Sequence, residues 1–337
     1  MKDERILLAH GAGGKKSSEL TERIFLKYFN DPALLELNDM AVLDLPNGRV
    51  SMSTDTYVVD PIFFPGGDIG SLAVHGTVND VAMAGAVPFA ISVAFILEEG
   101  LLLTDLERIA GSMARAASEA KVRIVTADTK VVPRGAADKL FINTTGVGII
   151  PKGIKVSGST AEEGDRILLS GTVGDHGIAI ASSREGIQFK TTVESDSAPI
   201  NGMIQELIVA LGSDIHVLRD PTRGGLATVL TEIASQSSVG VQIEETAIPV
   251  REAVKGACEL LGYDPLYLAN EGKLVAVVAE KASERALEIM KDSKYGQDAC
   301  IIGEIKNENP GKVILKTVMG GSRLVDKLSG EMLPRIC

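Results

Sequence analysis

Apolar positions along the first half of the chain alternate between two periods. Residues 50–59 and 89–97 read as strands, and between them 71–84 carries a helical pattern. A short strand over 6–9 runs into a glycine-rich turn, and a helix follows over 18–29. Thr104, with Glu107 three residues on, forms a capping box that opens an amphipathic helix reaching residue 120. Strands at 122–127 and 140–150 close this unit. Pro151-Lys152-Gly153 and the polar stretch to Gly164 read as a linker. Beyond it, strands at 166–169, 239–243, 274–278, 299–302 and 313–315 interleave with helices at 199–211, 225–234, 251–261 and 282–291. The pattern predicts an α+β chain of two mixed α/β domains, 1–150 and 151–318, followed by a mobile tail, 319–337, hinged at Gly320 and Gly321.

A length of 337 residues suits two domains of about 150 residues each. Aromatic residues make up 4% with no tryptophan, so the interior is built from Val, Ile, Leu and Ala. The net charge of −11 argues against a protein that lives on nucleic-acid phosphates. The most apolar region, 71–97, is broken by His75, Asn79, Asp80 and Pro88 and does not suit a membrane span. The opening residues do not show a secretory pattern, and no leader is expected. Three cysteines, Cys258, Cys300 and Cys337, are an odd number without metal-ligand spacing. A reducing, cytoplasmic setting is the expectation.

Cys337 stands last, after Pro334-Arg335-Ile336. A thiol there has little to pack against and can be carried into another site, which makes it a candidate reactive carrier. From the glycine hinge, an extended chain reaches roughly 50 Å at about 3.3 Å per residue. Gly11-Ala12-Gly13-Gly14-Lys15-Lys16-Ser17 fits neither the P-loop nor the dinucleotide fingerprint, yet a glycine-rich turn ahead of a helix remains a candidate anion site. Asp55, Asp80 and Asp128 lie at strand ends or polar turns against apolar sequence. Brought together beside Lys130 and Gly146-Val147-Gly148, they suit a divalent ion and a triphosphate. Asp220-Pro221-Thr222-Arg223-Gly224-Gly225 offers a second anion turn, and Glu271 precedes a buried strand. Among the four histidines only His10 and His176, each followed by glycine, stand out.

Gly11-Ala12-Gly13-Gly14, Thr54-Asp55-Thr56, Asn79 to Ala86, Ala127 to Val132, Asp220 to Gly225, Asn270-Glu271-Gly272 and the terminal Cys337 motif together resemble a known group over essentially the whole chain. It is the nickel–iron hydrogenase maturation family within the aminoimidazole ribonucleotide synthetase-like ATP-binding superfamily. The resemblance implies a homodimer whose N-terminal domains pair into a shared β-barrel with ATP near the interface. It implies that the carbamoyltransferase HypF loads Cys337, that ATP drives dehydration of the thiocarboxamide to a thiocyanate, and that cyanide passes to iron on a HypC–HypD complex. Asp55, Asp80 and Asp128 would hold Mg²⁺. Gly11, Gly13, Gly14, Asn79, Thr129, Gly146 and Arg223 would join these aspartates in binding the nucleotide. Glu271 would act as base, with Lys130 as proton carrier or phosphate contact; which of the two takes the proton is open.

Other readings compete. A selenophosphate synthetase would carry a cysteine or selenocysteine in its N-terminal glycine-rich segment, whereas the first cysteine here is Cys258. A small-molecule kinase has no need of a terminal thiol. A non-catalytic carrier has no use for a metal–triphosphate cleft.

Overall fold

The structure is a computed structural model that describes residues 4–12, 15–35, 41, 43–46, 48–184, 193–327, 333 and 335–337. In the first domain β1 (Arg49–Tyr57), α1 (Ile69–Ala82), β2 (Val87–Glu98), α2 (Leu103–Ala120), β3 (Arg123–Val132) and β4 (Leu140–Ile150) build a four-stranded sheet in the order β1-β4-β2-β3. Only β2 and β3 run parallel, because α2 crosses over between them. Along β4 every second residue is buried, the period of a strand with helices on one face. Asp68 starts α1 by accepting the N–H groups of Gly70 and Ser71 at 2.8 and 3.0 Å.

A single chain does not close the expected barrel. Its sheet is open, with β1 and β3 as edges. The face turned away from α1 exposes Val50, Met52 and Ile96, with Met52 at 70%. Two local expectations fail. Residues 6–9 do not form a strand: Arg5 makes one bridge to Leu102, and Leu8–Gly11 then winds into a 3-10 turn. Only Ile6 of that run is buried, so there is no apolar face for a longer ladder. The capping box is also absent. Helix α2 begins one residue before Thr104, with no side-chain cap, and Glu107 instead receives Lys27 and the Tyr28 hydroxyl.

The second domain runs β5 (Arg166–Leu169), α3 (Asp175–Ser182), α4 (Asn201–Leu211), β6 (Ile215–Arg219), α5 (Gly225–Ser237), β7 (Gly240–Glu244), α6 (Glu252–Leu261), β8 (Val275–Val278), α7 (Ser283–Asp292), β9 (Cys300–Lys306), β10 (Val313–Lys316) and β11 (Ser322–Val325). Its sheet has the order β11-β10-β7-β9-β5-β8-β6. Helix α3 and strands β6 and β11 lie outside the periodic pattern of the sequence. Seven consecutive residues of α3, from Asp175 to Ala181, are buried, so the helix has no polar face to give a 3.6-residue signal. Strand β11 shifts the tail boundary. Gly320, at φ +80°, turns the chain into a β10–β11 hairpin, so residues up to 325 belong to the second domain.

The domains share their cores. Val81, Ala82, Ala86 and Ile150 pack in one cluster with Ile154 of the expected linker and with Ile204, Leu207 and Ile208 of α4. Asn79 reinforces the junction: its amide donates to Ala198 O at 2.9 Å and Glu271 O at 3.3 Å and accepts Ile200 N–H at 2.9 Å. None of the described helices is long and apolar enough to cross a membrane.

Candidate active site

Strand periodicity turns Ser53, Asp55 and Tyr57 of β1 toward α1, whose three-residue spacing sets Thr77 and Asp80 on the facing side. Ser53 Oγ donates to Asp80 Oδ2 at 2.7 Å, and Thr77 Oγ1 reaches Asp55 Oδ2 at 3.4 Å. From the second domain, the turn after β6 contributes Asp220, Thr222 and Arg223, and the segment before β8 contributes Glu271. Asp55, Asp80 and these second-domain side chains, with Thr54, Thr56 and Cys337, line a cavity of about 310 Å³ at the domain junction.

Asn270 holds the second-domain wall in place. Its side chain accepts Gly174 N–H at 2.7 Å and donates to Pro221 O at 3.0 Å, tying the Glu271 segment to the Asp220 turn. Asp196 Oδ1 accepts the Glu271 N–H at 3.0 Å. Gly272 has no alternative here, since an added Cβ would lie 1.9 Å from Asp196 O.

The cavity concentrates negative charge. Burial, and then the facing Asp80 carboxylate, push Asp55 up to about 6; the same two causes, in the same order, push Asp220 up to about 7. Glu271 is 4% exposed, and its Oε1 has no hydrogen-bond partner. Burial foremost, then the carboxylates of Asp196, Asp220, Asp55 and Asp80, hold it well above the ordinary carboxylate range. Burial and then Glu271 push the Cys337 thiol up to about 12.

Among the described residues, no three His, Cys, Asp or Glu side chains enclose a metal ion by themselves. Asp55, Asp80 and Asp220 line one cavity, with Asp80 beside each of the other two. Their mutual repulsion fits a divalent cation whose remaining positions are filled by phosphate oxygens or water. A measurable consequence follows from the raised acids. Between the unfolded value near 3.9 and the folded values of about 6 and 7, the folded chain binds more protons than the unfolded one. Stability of the metal-free protein should therefore fall as pH rises through this window. Asp220→Asn should flatten the slope in thermal melts at pH 5 to 8; an unchanged slope would remove the charge cluster as its cause.

The end of the chain is docked. Val58 N–H donates to Cys337 O at 3.0 Å, Arg335 Nε to Val58 O at 2.9 Å, and Arg184 Nη2 to Arg335 O at 2.8 Å. Ile336 is buried in the first-domain core.

The residues expected from sequence divide into two groups. Asp55, Asp80, Arg223, Glu271 and Cys337 line one cavity. Asp128, Thr129 and Lys130 do not join them within one chain. Asp55 and Asp128 sit on opposite edge strands, three interstrand steps apart, on the order of 14 Å. Lys130 Nζ is paired with Asp128 at 2.9 Å instead. Asn79 is spent on main-chain groups, as above. Gly146 serves packing, since a Cβ would lie 2.8 Å from Thr77 Cγ2. Gly11 packs against Val131, and Gly13 and Gly14 lie outside the described residues. Asp220 was legible only as part of an anion turn, because nothing along the chain shows that it meets Asp80.

Two family matches define the class. Residues 37–150 match AIR synthase related protein, N-terminal domain, and residues 162–316 match AIR synthase related protein, C-terminal domain. The chain belongs to the AIR synthase related family, and within it to the group of the hydrogenase maturation protein HypE. Carbamoyl dehydratase HypE of Azotobacter vinelandii is 52% identical over 337 residues, spanning 100% of this chain and 98% of that protein. A crystal structure of hydrogenase maturation protein HypE in complex with ATP superimposes with a TM-score of 0.95 at 54% identity, covering 98% of this chain and 99% of that one. The crystal structure of a HypE–HypF complex gives a TM-score of 0.81 at 50% identity over 92% of this chain and 99% of that one.

Proposed function

We propose that this chain catalyses the ATP-dependent dehydration of a carbamoyl group carried on its own Cys337, giving the thiocyanate that supplies cyanide to a nickel–iron hydrogenase centre. The observation that carries this reading is the position of Cys337, inside a cavity walled by Asp55, Asp80, Asp220, Arg223 and Glu271. Bound Mg–ATP supplies the phosphoryl group that turns the amide oxygen into a leaving group, with the metal neutralising charge. Asp55, Asp80 and Asp220 are the residues that would hold the metal, and Arg223 is the cation within reach of a phosphate.

The remaining work is proton transfer. Nitrile formation removes both protons from the amide nitrogen, and among the described residues Glu271 is the one carboxyl in the cavity with a buried, unpartnered oxygen. Repulsion from Asp55, Asp80 and Asp220 contributes to keeping it protonated at rest. Positive charge among these aspartates relieves that repulsion and frees Glu271 to accept a proton. Lys130, exposed and paired with Asp128, is the weaker candidate.

Loading takes place with the tail withdrawn, because a docked thiol pushed up to about 12 is not the thiolate that attacks a carbamoyl donor. The relative solved with HypF supports the carbamoyltransferase as loading partner. A HypC–HypD complex follows as the cyanide acceptor. The open edges β1 and β3, with Val50, Met52 and Ile96 exposed between them, support a homodimer that closes a barrel across two copies. Asp128, Thr129 and Lys130 would then approach the β1 edge of the other copy. Three free cysteines fit the cytoplasm. Intact-mass measurement of the carbamoyl-loaded chain after addition of Mg–ATP should show loss of one water mass. No loss would reduce the protein to a carrier.

A further inference from the structure

His176 is fully buried at the second residue of α3, and both ring nitrogens are committed. Nε2 lies 2.8 Å from the carbonyl oxygen of Ile336, the residue before Cys337, and Nδ1 lies 2.8 Å from Ser195 Oγ. A carbonyl only accepts, so Nε2 carries the proton. Burial lowers the imidazole pKa, so the ring is neutral; Nδ1 therefore accepts from the Ser195 hydroxyl. Ser195 Oγ also receives the Ser197 N–H at 3.1 Å, and Ser197 Oγ meets His75 Nδ1 at 3.1 Å. Between these serines sits Asp196, whose Oδ1 receives the Glu271 N–H and whose Oδ2 pairs with Lys273 at 3.3 Å.

One short turn, 195–197, thus fixes two things. Through Ser195 it sets the tautomer of the ring that grips the tail, and through Asp196 it anchors the main chain of Glu271. Further tail contacts, from Val58, Asp60, Asp138 and Arg184, hold the flanking residues Arg335 and Cys337. The bond to Ile336 sits between them, one peptide from the sulfur.

We propose that His176 is a positioning residue for the reaction: its Nε2–H grips the Ile336 carbonyl and aims Cys337 at a Glu271 held by the same 195–197 turn. The inference rests on the reading of Cys337 as the modified group, but the grip itself is separable from that chemistry. A docked thiol is half-buried in the cavity and a released one is open to solvent, so the rate at which iodoacetamide alkylates Cys337 reports the released fraction.

The test uses full-length wild type, His176→Leu, His176→Gln and Ser195→Ala, with alkylation of the Cys337 peptide followed by mass spectrometry. His176→Leu should raise the alkylation rate about tenfold, equivalent to about 1.4 kcal/mol of lost docking, with nucleotide binding unchanged. His176→Gln keeps an N–H donor of similar reach and should fall between wild type and His176→Leu. Ser195→Ala should shift the rate the same way by a smaller factor, and it decides the matter if His176→Leu does not fold. Wild-type alkylation rates in His176→Leu, or equal rates in the Leu and Gln variants, overturn the proposal. Because alkylation needs neither carbamoyl donor nor ATP, a failed dehydration reading leaves this outcome intact. If both hold, single-turnover dehydration of the loaded chain slows in the order Gln, then Leu.

Discussion

Cys337→Ser should yield no dehydrated product at all, while thermal stability and nucleotide binding stay at wild-type levels. The side chain is half-buried at the margin of the first-domain core, and the tail is docked by main-chain groups of residues 335–337 and by the side chains of Arg335 and Ile336, all of which the substitution keeps. What changes is the acceptor. A serine hydroxyl has no accessible anion with which to take the carbamoyl group, and any oxygen ester formed would lack the sulfur on which the thiocyanate is built. A free thiol added at about millimolar concentration should not rescue the variant, since tethering supplies effective molarities on the order of 10⁵ M or more. Intact mass before and after the carbamoyl donor and Mg–ATP reads the result. A cyanated product on another residue would overturn the assignment of the terminal sulfur.

Glu271→Gln should separate loading from dehydration. The amide fills the same space and leaves the Asp196 contact intact, because that bond is to the main-chain N–H. Carbamoylated protein should therefore accumulate, with dehydration slowed by about 10²- to 10⁴-fold, the usual contribution of a positioned general base. The substitution also removes a buried acid beside other carboxylates, so the variant should fold at least as stably as wild type near pH 7. Lys130→Ala in parallel distinguishes the two candidate bases. If Lys130→Ala abolishes turnover while Glu271→Gln retains it, the proton goes to lysine and the present assignment of Glu271 is wrong.

The residues gathered in the cavity were legible in sequence wherever one short motif supplied them. Asp55, Asp80, Arg223 and Glu271 sit in polar turns or strand ends against apolar runs, and the structure gathers all four. The expectation for Asp128 and Lys130 rested on the same kind of signal. Strand order separates them from the cavity within one chain, and strand order is not written in local periodicity. Asn79 illustrates a different limit: a buried asparagine in a polar motif looks like a ligand until its amide is seen to be spent on Ala198, Ile200 and Glu271. His176 stood out by its setting alone, and only its two partners give it a role.

The sequence by itself determined the alternation of strands and helices, the two-domain division and the presence of a mobile-looking thiol, because these follow from apolar period, glycine and proline placement and residue order. Tertiary structure alone decided that Asp220 meets Asp80, that β11 removes seven residues from the supposed tail, and that Cys337 lies beside Glu271. Those are contacts between segments far apart in the chain. They are set by how two shared cores pack against one another, a property of the whole fold that no window of residues contains.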